Sequence, residues 1–272
     1  MAFPRAMAKW LGPVAVLALI PSAAGSDDPK ALFTDGGAAL VRDVIDGDTV
    51  LLEDGRQVRL VGIQAPKLPL EREGFRAWPL ADAAKARLEE LVAGEPVNLL
   101  YGGAAEDRYS RRLAHLWLAD GRWVQRQMLL AGLARVYTFA DNRAGATHLL
   151  AAEAEARAAG RGIWADPYYA IRAPDEASDF YDSFQIVDGT IRSAALVRGT
   201  LYLNFGENWR RDFTVRILRK HARHFPDADA FEGRRVEVRG WLFARNGPMI
   251  DATHPEQIVF RADNAEDREG VR

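Results

Sequence analysis

Residues 38–63 read AALVRDVIDGDTVLLEDGRQVRLVGI. Three runs in this stretch, AALVRDV (38–44), TVLLE (49–53) and RQVRLVGI (56–63), are rich in β-branched and apolar residues and read as strands. The last two are joined by Asp54-Gly55, the residue pair a tight hairpin turn favours, because its central residues take positive φ. Three antiparallel strands follow. Next comes a helix over 79–92, with Pro79 suited to its first turn, Leu80, Ala84, Leu88 and Leu91 on one face, and Gly94 as its stop. Short strands at 97–100 and 112–118 precede helices at 124–131, before Gly132, and at 146–159, before Gly160. Three strands, a helix, two strands and terminal helices describe an OB-like five-stranded barrel with helices, spanning 38–172.

Beyond it, the Pro, Asp, Glu and Ser stretch at 173–184 reads as a linker, and 185–262 reads as a second, smaller OB-like β domain. Its strands are expected at 200–205, 213–217 and 236–242, with Asn246-Gly247 as a hairpin turn and no long helical pattern. Residues 263–272 form a polar tail. The chain as a whole is mainly β (α+β).

Composition bounds the chemistry. The 272 residues are 48% apolar and 27% charged, which excludes disorder, collagen and a bundle of membrane spans. A formal charge of -2 creates no overall field for a polyanion, so a nucleic-acid site has to be a local patch. The absence of cysteine removes disulfide scaffolds, thiolate zinc sites and Cys nucleophiles together. There is no G-x-S-x-G elbow, P-loop or H-E-x-x-H. Arg5 and Lys9 precede an apolar run at 11–20, well short of the about 20 residues that cross a bilayer, and Ser22, Ala23 and Ala24 suit a signal peptidase. Residues 1–24 are therefore expected to be a signal peptide, and the chain an exported one, periplasmic or secreted, with no membrane anchor left after cleavage.

Acids and arginines recur at turns beside strands. Asp46-Gly47-Asp48 opens the first hairpin, where two carboxylates could offer oxygens to a hard cation, although an Asp-Gly turn is ordinary by itself. Arg59 lies on the third strand and Arg111 follows Asp107-Arg108-Tyr109-Ser110, so two guanidiniums could converge on one phosphate. In the second region Arg210, Arg211 and Arg216 are interleaved with aromatic residues including Trp209, a pattern suited to single-stranded nucleic acid and equally to a barrel core with solvated arginines. His221 and His224 have no convergent acid, and His115, inside a strand, is expected to be packed.

VIDGDTVLL, RLVGIQAPK, DRYSRRLAHLWLADG, VQRQMLLAGLARVY and GRGIW, in this order and spacing, resemble the staphylococcal nuclease (thermonuclease) family across 40–170. The resemblance implies calcium-dependent hydrolysis of DNA or RNA phosphodiesters. It makes Asp48 a metal ligand with Asp46 supporting it, Gln64 and the Ala65 carbonyl further members of the shell, and Arg59 and Arg111 the phosphate clamps; Tyr109 stands beside the second clamp. YLNFGENWRRDFTVRI and RGWLFARNGPMI look like the extra OB-like domain that follows some bacterial members.

Two positions depart from the family pattern. Where the third-strand motif usually ends Asp, small residue, Pro, Glu, this chain has Gln64, Ala65, Pro66 and Lys67. A metal carboxylate and the water-activating glutamate are both missing. Lys67, as an ammonium, reads as a phosphate-binding cation, and Glu71 or Glu73 in the loop at 68–77 becomes the candidate base. The alternative is a non-catalytic nucleic-acid, nucleotide or partner binding module on the same fold.

Overall fold

A computed structural model of the chain describes residues 28–226 and 230–261. The proposed signal peptide and the polar tail lie outside them. No helix among the described residues is long and apolar enough to cross a membrane.

The first unit is a closed barrel of β1 (Thr34–Asp46), β2 (Thr49–Leu52), β3 (Gln57–Leu60), β5 (Pro96–Tyr101) and β6 (Arg112–Leu118), in the order β1-β2-β3-β6-β5. β1 is long enough to pair with β2 through its second half and with β5 through its first, which closes the cylinder. Only β3 and β6 run parallel. Alternate residues, Val50 and Leu52, Val58 and Leu60, Leu99 and Leu116 among them, fill the interior.

The run expected as one strand at 56–63 is broken. Gly62 takes φ 84, and a Cβ there would lie 2.6 Å from Leu149 Cδ1, so the chain leaves β3 and starts β4 (Gly62–Gln64). β4 pairs with β7 (Arg135–Tyr137), a short strand absent from the sequence reading. α1 (Ala81–Val92) starts two residues later than expected, because Leu80 holds a left-handed φ of 65. It buries Ala81, Ala84, Leu88, Leu91 and Val92. α2 (Val124–Leu130) and α3 (Ala146–Ala158) complete the unit.

The second unit is one seven-stranded sheet of β8 (Ser183–Thr190), β9 (Ser193–Val197), β10 (Thr200–Asn204), β11 (Thr214–Ile217), β12 (Arg235–Ala244), β13 (Pro248–Asp251) and β14 (Ile258–Phe260). Its pairing repeats that of the barrel. β8 and β9 stand where β1 stands, one pairing with β12 and the other with β10, and β11 runs parallel to β13 as β3 does to β6. The expected turn at Asn246-Gly247 is present, with φ 50 and 88. The stretch at 173–184 is packed against this sheet: Ala177 is buried in its core and the Asp182 amide donates to Leu242 O at 2.8 Å.

The two units share a buried ionic cluster. Arg239 of β12, 2% exposed, donates to Glu153 of α3 at 2.8 Å and to Glu237 at 2.6 Å, and Arg157 of α3 reaches Glu237 at 2.8 Å. Arg143 and Glu256 form a bidentate pair, and Tyr137 packs edge-on against Phe184, centroids 4.8 Å apart.

Candidate functional site

The turn between β1 and β2 begins with Asp46, whose Oδ1 accepts the Asp48 N–H at 3.1 Å. Gly47 between them has no room for a side chain, since a Cβ would meet those of Ala65 and Ala84 at 2.7 Å each. That close approach sets the turn against the segment following β4 and against α1. It also sends the Asp48 carboxylate inward, where it is fully buried.

Asp48 is saturated with donors. Its Oδ2 accepts the Ala65 N–H at 2.7 Å and faces Arg59 Nη2 at 3.2 Å. Lys67 Nζ lies 2.6 Å from Oδ1 and 2.7 Å from Oδ2, and 3.2 Å from Asp46 Oδ2. Burial pushes the Asp48 carboxyl upward, but Arg59, Lys67 and the Ala65 amide outweigh it and hold its pKa at about 2. Asp46 goes the other way: burial and the neighbouring Asp48 charge raise its pKa, against partial relief from Lys67 and Arg59.

Arg59, near the end of β3, spends most of its guanidinium on the backbone. Nη1 donates to Asp48 O and Leu60 O, and Nη2 donates to Ile63 O at 2.7 Å. Only Nε makes no hydrogen bond among the described residues. Arg111 is held by a turn in which Asp107 Oδ1 accepts the Tyr109 and Arg111 amides at 2.8 and 3.0 Å, while Oδ2 takes Arg111 Nε at 2.8 Å. The parallel β3–β6 pairing puts both arginines on the wall of one cleft of about 610 Å³. Arg108, Tyr109, Tyr137, Phe139 and Asn142 share that wall. The charged groups balance: Arg59, Arg108 and Arg111 face Glu106, Asp107 and Asp141.

The other expected residues are not gathered there. Gln64 offers its Oε1 to Arg135, at 3.0 and 2.8 Å, instead of facing Asp48. Glu71 and Glu73 are exposed, make no hydrogen bond or ion pair among the described residues, and do not line the cleft. In the second unit Arg216 is 8% exposed and closed into a bidentate pair with Asp251, at 2.7 and 2.8 Å. Trp209 is exposed with the Arg210 guanidinium 4.4 Å from its ring centroid, and Arg211 is exposed beside it. His115 is packed as expected, against Phe33 and Trp123. Sequence reasoning missed Arg135, Tyr137 and Arg108, although all three stand within segments that carry the family resemblance.

A calcium ion takes six to eight oxygens at about 2.3–2.6 Å, with carboxylates supplying most of the charge. The residues here do not fit it. Both Asp48 oxygens are held by the Lys67 ammonium, the Gln64 carbonyl is committed to Arg135, and no group of three or more metal-binding side chains occurs among the described residues.

Residues 57–166 match the family model described as staphylococcal nuclease homologue. A thermonuclease of Staphylococcus intermedius is 31% identical over 157 residues, covering 56% of this chain and 92% of that protein. The chain belongs to the staphylococcal nuclease family. Other proteins similar to it are an uncharacterized endonuclease of Escherichia coli O157:H7, 33% identical over 126 residues (45% of this chain, 74% of that protein), and an endonuclease of Bacillus subtilis, 31% identical over 130 residues (46% and 60%). Within the family barrel, this chain combines both arginines of the expected clamp with a lysine on the buried aspartate.

Proposed function

We propose that the chain is an exported phosphodiesterase acting on DNA or RNA in the Arg59–Arg111 cleft. The observation that carries this reading is the pair of guanidiniums on one wall, beside an acidic turn, in a family whose similar members include a thermonuclease and endonucleases. Hydrolysis there joins a water oxygen to phosphorus and breaks one P–O ester bond, with a water proton ending on the leaving alcohol. Arg111 and Arg59 Nε neutralise the charge that builds on the phosphoryl oxygens, and the exposed Tyr109 and the Tyr137 ring offer faces to the flanking bases. Calcium enters no step of this reading, because the donor set at Asp48 does not fit it.

A second reading, binding without cleavage, is favoured by one observation: no free carboxylate stands where the family places its base, since Lys67 occupies that position. Incubating the chain with labelled single-stranded DNA, double-stranded DNA and RNA, with calcium and with chelator, separates the two. Cleavage that is lost in Arg111→Ala supports the enzyme. Binding with intact polymer supports the module, and neither cleavage nor binding removes both.

A further inference from the structure

We infer that Lys67 is a built-in cation that replaces a divalent metal at the Asp46–Asp48 turn, so that the cleft takes a phosphodiester without any divalent ion. The inference rests on the phosphodiester reading for its ligand, but its central claim concerns the turn alone. The Lys67 ammonium sits on both oxygens of a fully buried carboxylate and reaches the second aspartate as well. It is the only group touching both acids through side-chain nitrogen among the described residues. Its position is fixed from behind, because the Lys67 carbonyl accepts the Trp78 N–H at 2.9 Å and the preceding Ala65 amide is tied to the same carboxylate.

Charge arithmetic gives the direction. Asp46 and Asp48 carry two negative charges when ionised, and Lys67 with Arg59 carries two positive charges, so the turn is already neutral. A dication could enter only by displacing the ammonium and then sharing the pocket with it, against like-charge repulsion in a buried site. Changing Gln64→Asp and Lys67→Glu together leaves four acids against Arg59 and Arg135, an acidic excess of the kind a calcium site requires. Lys67 therefore does two things at once: it holds the Asp48 carboxylate in place against Arg59, and it makes the divalent ion unnecessary for that purpose.

The test is calcium binding itself, read by calorimetry and by thermal shift on the full chain, alongside the affinity of a labelled oligonucleotide in calcium and in chelator. The expected result is no saturable heat and no shift for the native chain at millimolar calcium, a saturable shift for Gln64→Asp/Lys67→Glu, and an oligonucleotide Kd that changes less than about twofold on chelation. Saturable calcium binding by the native chain that is lost in Asp48→Asn would overturn the inference. If the double variant does not fold, the native titration decides alone. Absence of oligonucleotide binding in both buffers would defeat the proposed function, while the calcium titration would still decide the role of Lys67.

Discussion

At the scale of single residues, what matters is which donors and acceptors are already committed. Arg59 and Lys67 hold Asp48 so tightly that the carboxyl stays ionised in a buried site, while Arg111 pairs with Asp107 through Nε and Nη2, stands 5.7 Å from the Tyr109 ring centroid and lines the cleft. Glu71 and Glu73 are exposed and have no ionic partner among the described residues. We expect Glu71→Gln and Glu73→Gln each to leave polymer cleavage or binding unchanged; a large loss in either, measured on the same labelled substrate, would place that residue in the site. Asp48 and His115 both make the fold lose stability toward acid, whereas Asp46, whose pKa is raised, acts in the opposite direction. Asp48 has a folded pKa of about 2, below the unfolded value of about 3.9, so its contribution, on the order of 2 kcal/mol, is present above pH 4 and lost as pH falls toward 2. Burial holds the His115 imidazole at about 3, with both ring nitrogens unpartnered, so the fold loses stability as pH drops below the unfolded value of about 6.5. His115→Leu should reduce the slope of melting temperature against pH between 6.5 and 4.5 by roughly half, leaving that of His254, held at about 4 by burial.

At the scale of elements, the sequence made the barrel legible because its signals are local. Asp54-Gly55, the Pro79 to Gly94 helix and the 112–118 strand are specified by neighbouring residues, and the strands and helices of the barrel fall within a few positions of the expected bounds. The β4–β7 ladder was not legible. It depends on Gly62, which takes a positive φ and lies too close to Leu149, a residue far along the chain, to carry a side chain, and on Arg135 finding Gln64. For the same reason the site was half readable. Motif order placed Arg59, Arg111, Asp46 and Asp48, but no local pattern says that Gln64 turns to Arg135 or that the Lys67 ammonium closes onto Asp48. The local constraint that bears on the site is Gly47. Gly47→Ala would press a methyl against the Ala65 and Ala84 side chains, neither of which can swing aside, at a cost of about 1–3 kcal/mol. Urea denaturation should show that loss together with weaker oligonucleotide binding; a variant as stable as the native chain would mean the turn and α1 are not in contact.

At the scale of the whole molecule, the second sheet serves as a brace for the cleft. Phe184 packs on Tyr137, His254 Nε2 meets Thr138 Oγ1 at 2.8 Å, and Arg143 pairs with Glu256, so the segment bearing Tyr137, Phe139 and Asn142 is held from behind by the second unit. Arg239 locks the two together beneath it. Removing that guanidinium in Arg239→Met leaves Glu153 and Glu237 facing each other in a buried site, with Arg157 and Arg261 as the remaining cations, and should cost about 3–5 kcal/mol. Calorimetry of the native chain should give one cooperative transition, whereas Arg239→Met should lower it or split it into two.

Whether one cleft grips a phosphodiester through Arg59 and Arg111 is decided by the affinity of Arg111→Ala for a labelled oligonucleotide in chelator. Arg111 is partly exposed and supports no other element, so the variant should keep its melting temperature. A charge-assisted hydrogen bond to phosphate is worth about 1.5–3 kcal/mol, and we expect affinity to fall by roughly tenfold or more. A folded Arg111→Ala that binds as tightly as the native chain would contradict the claim.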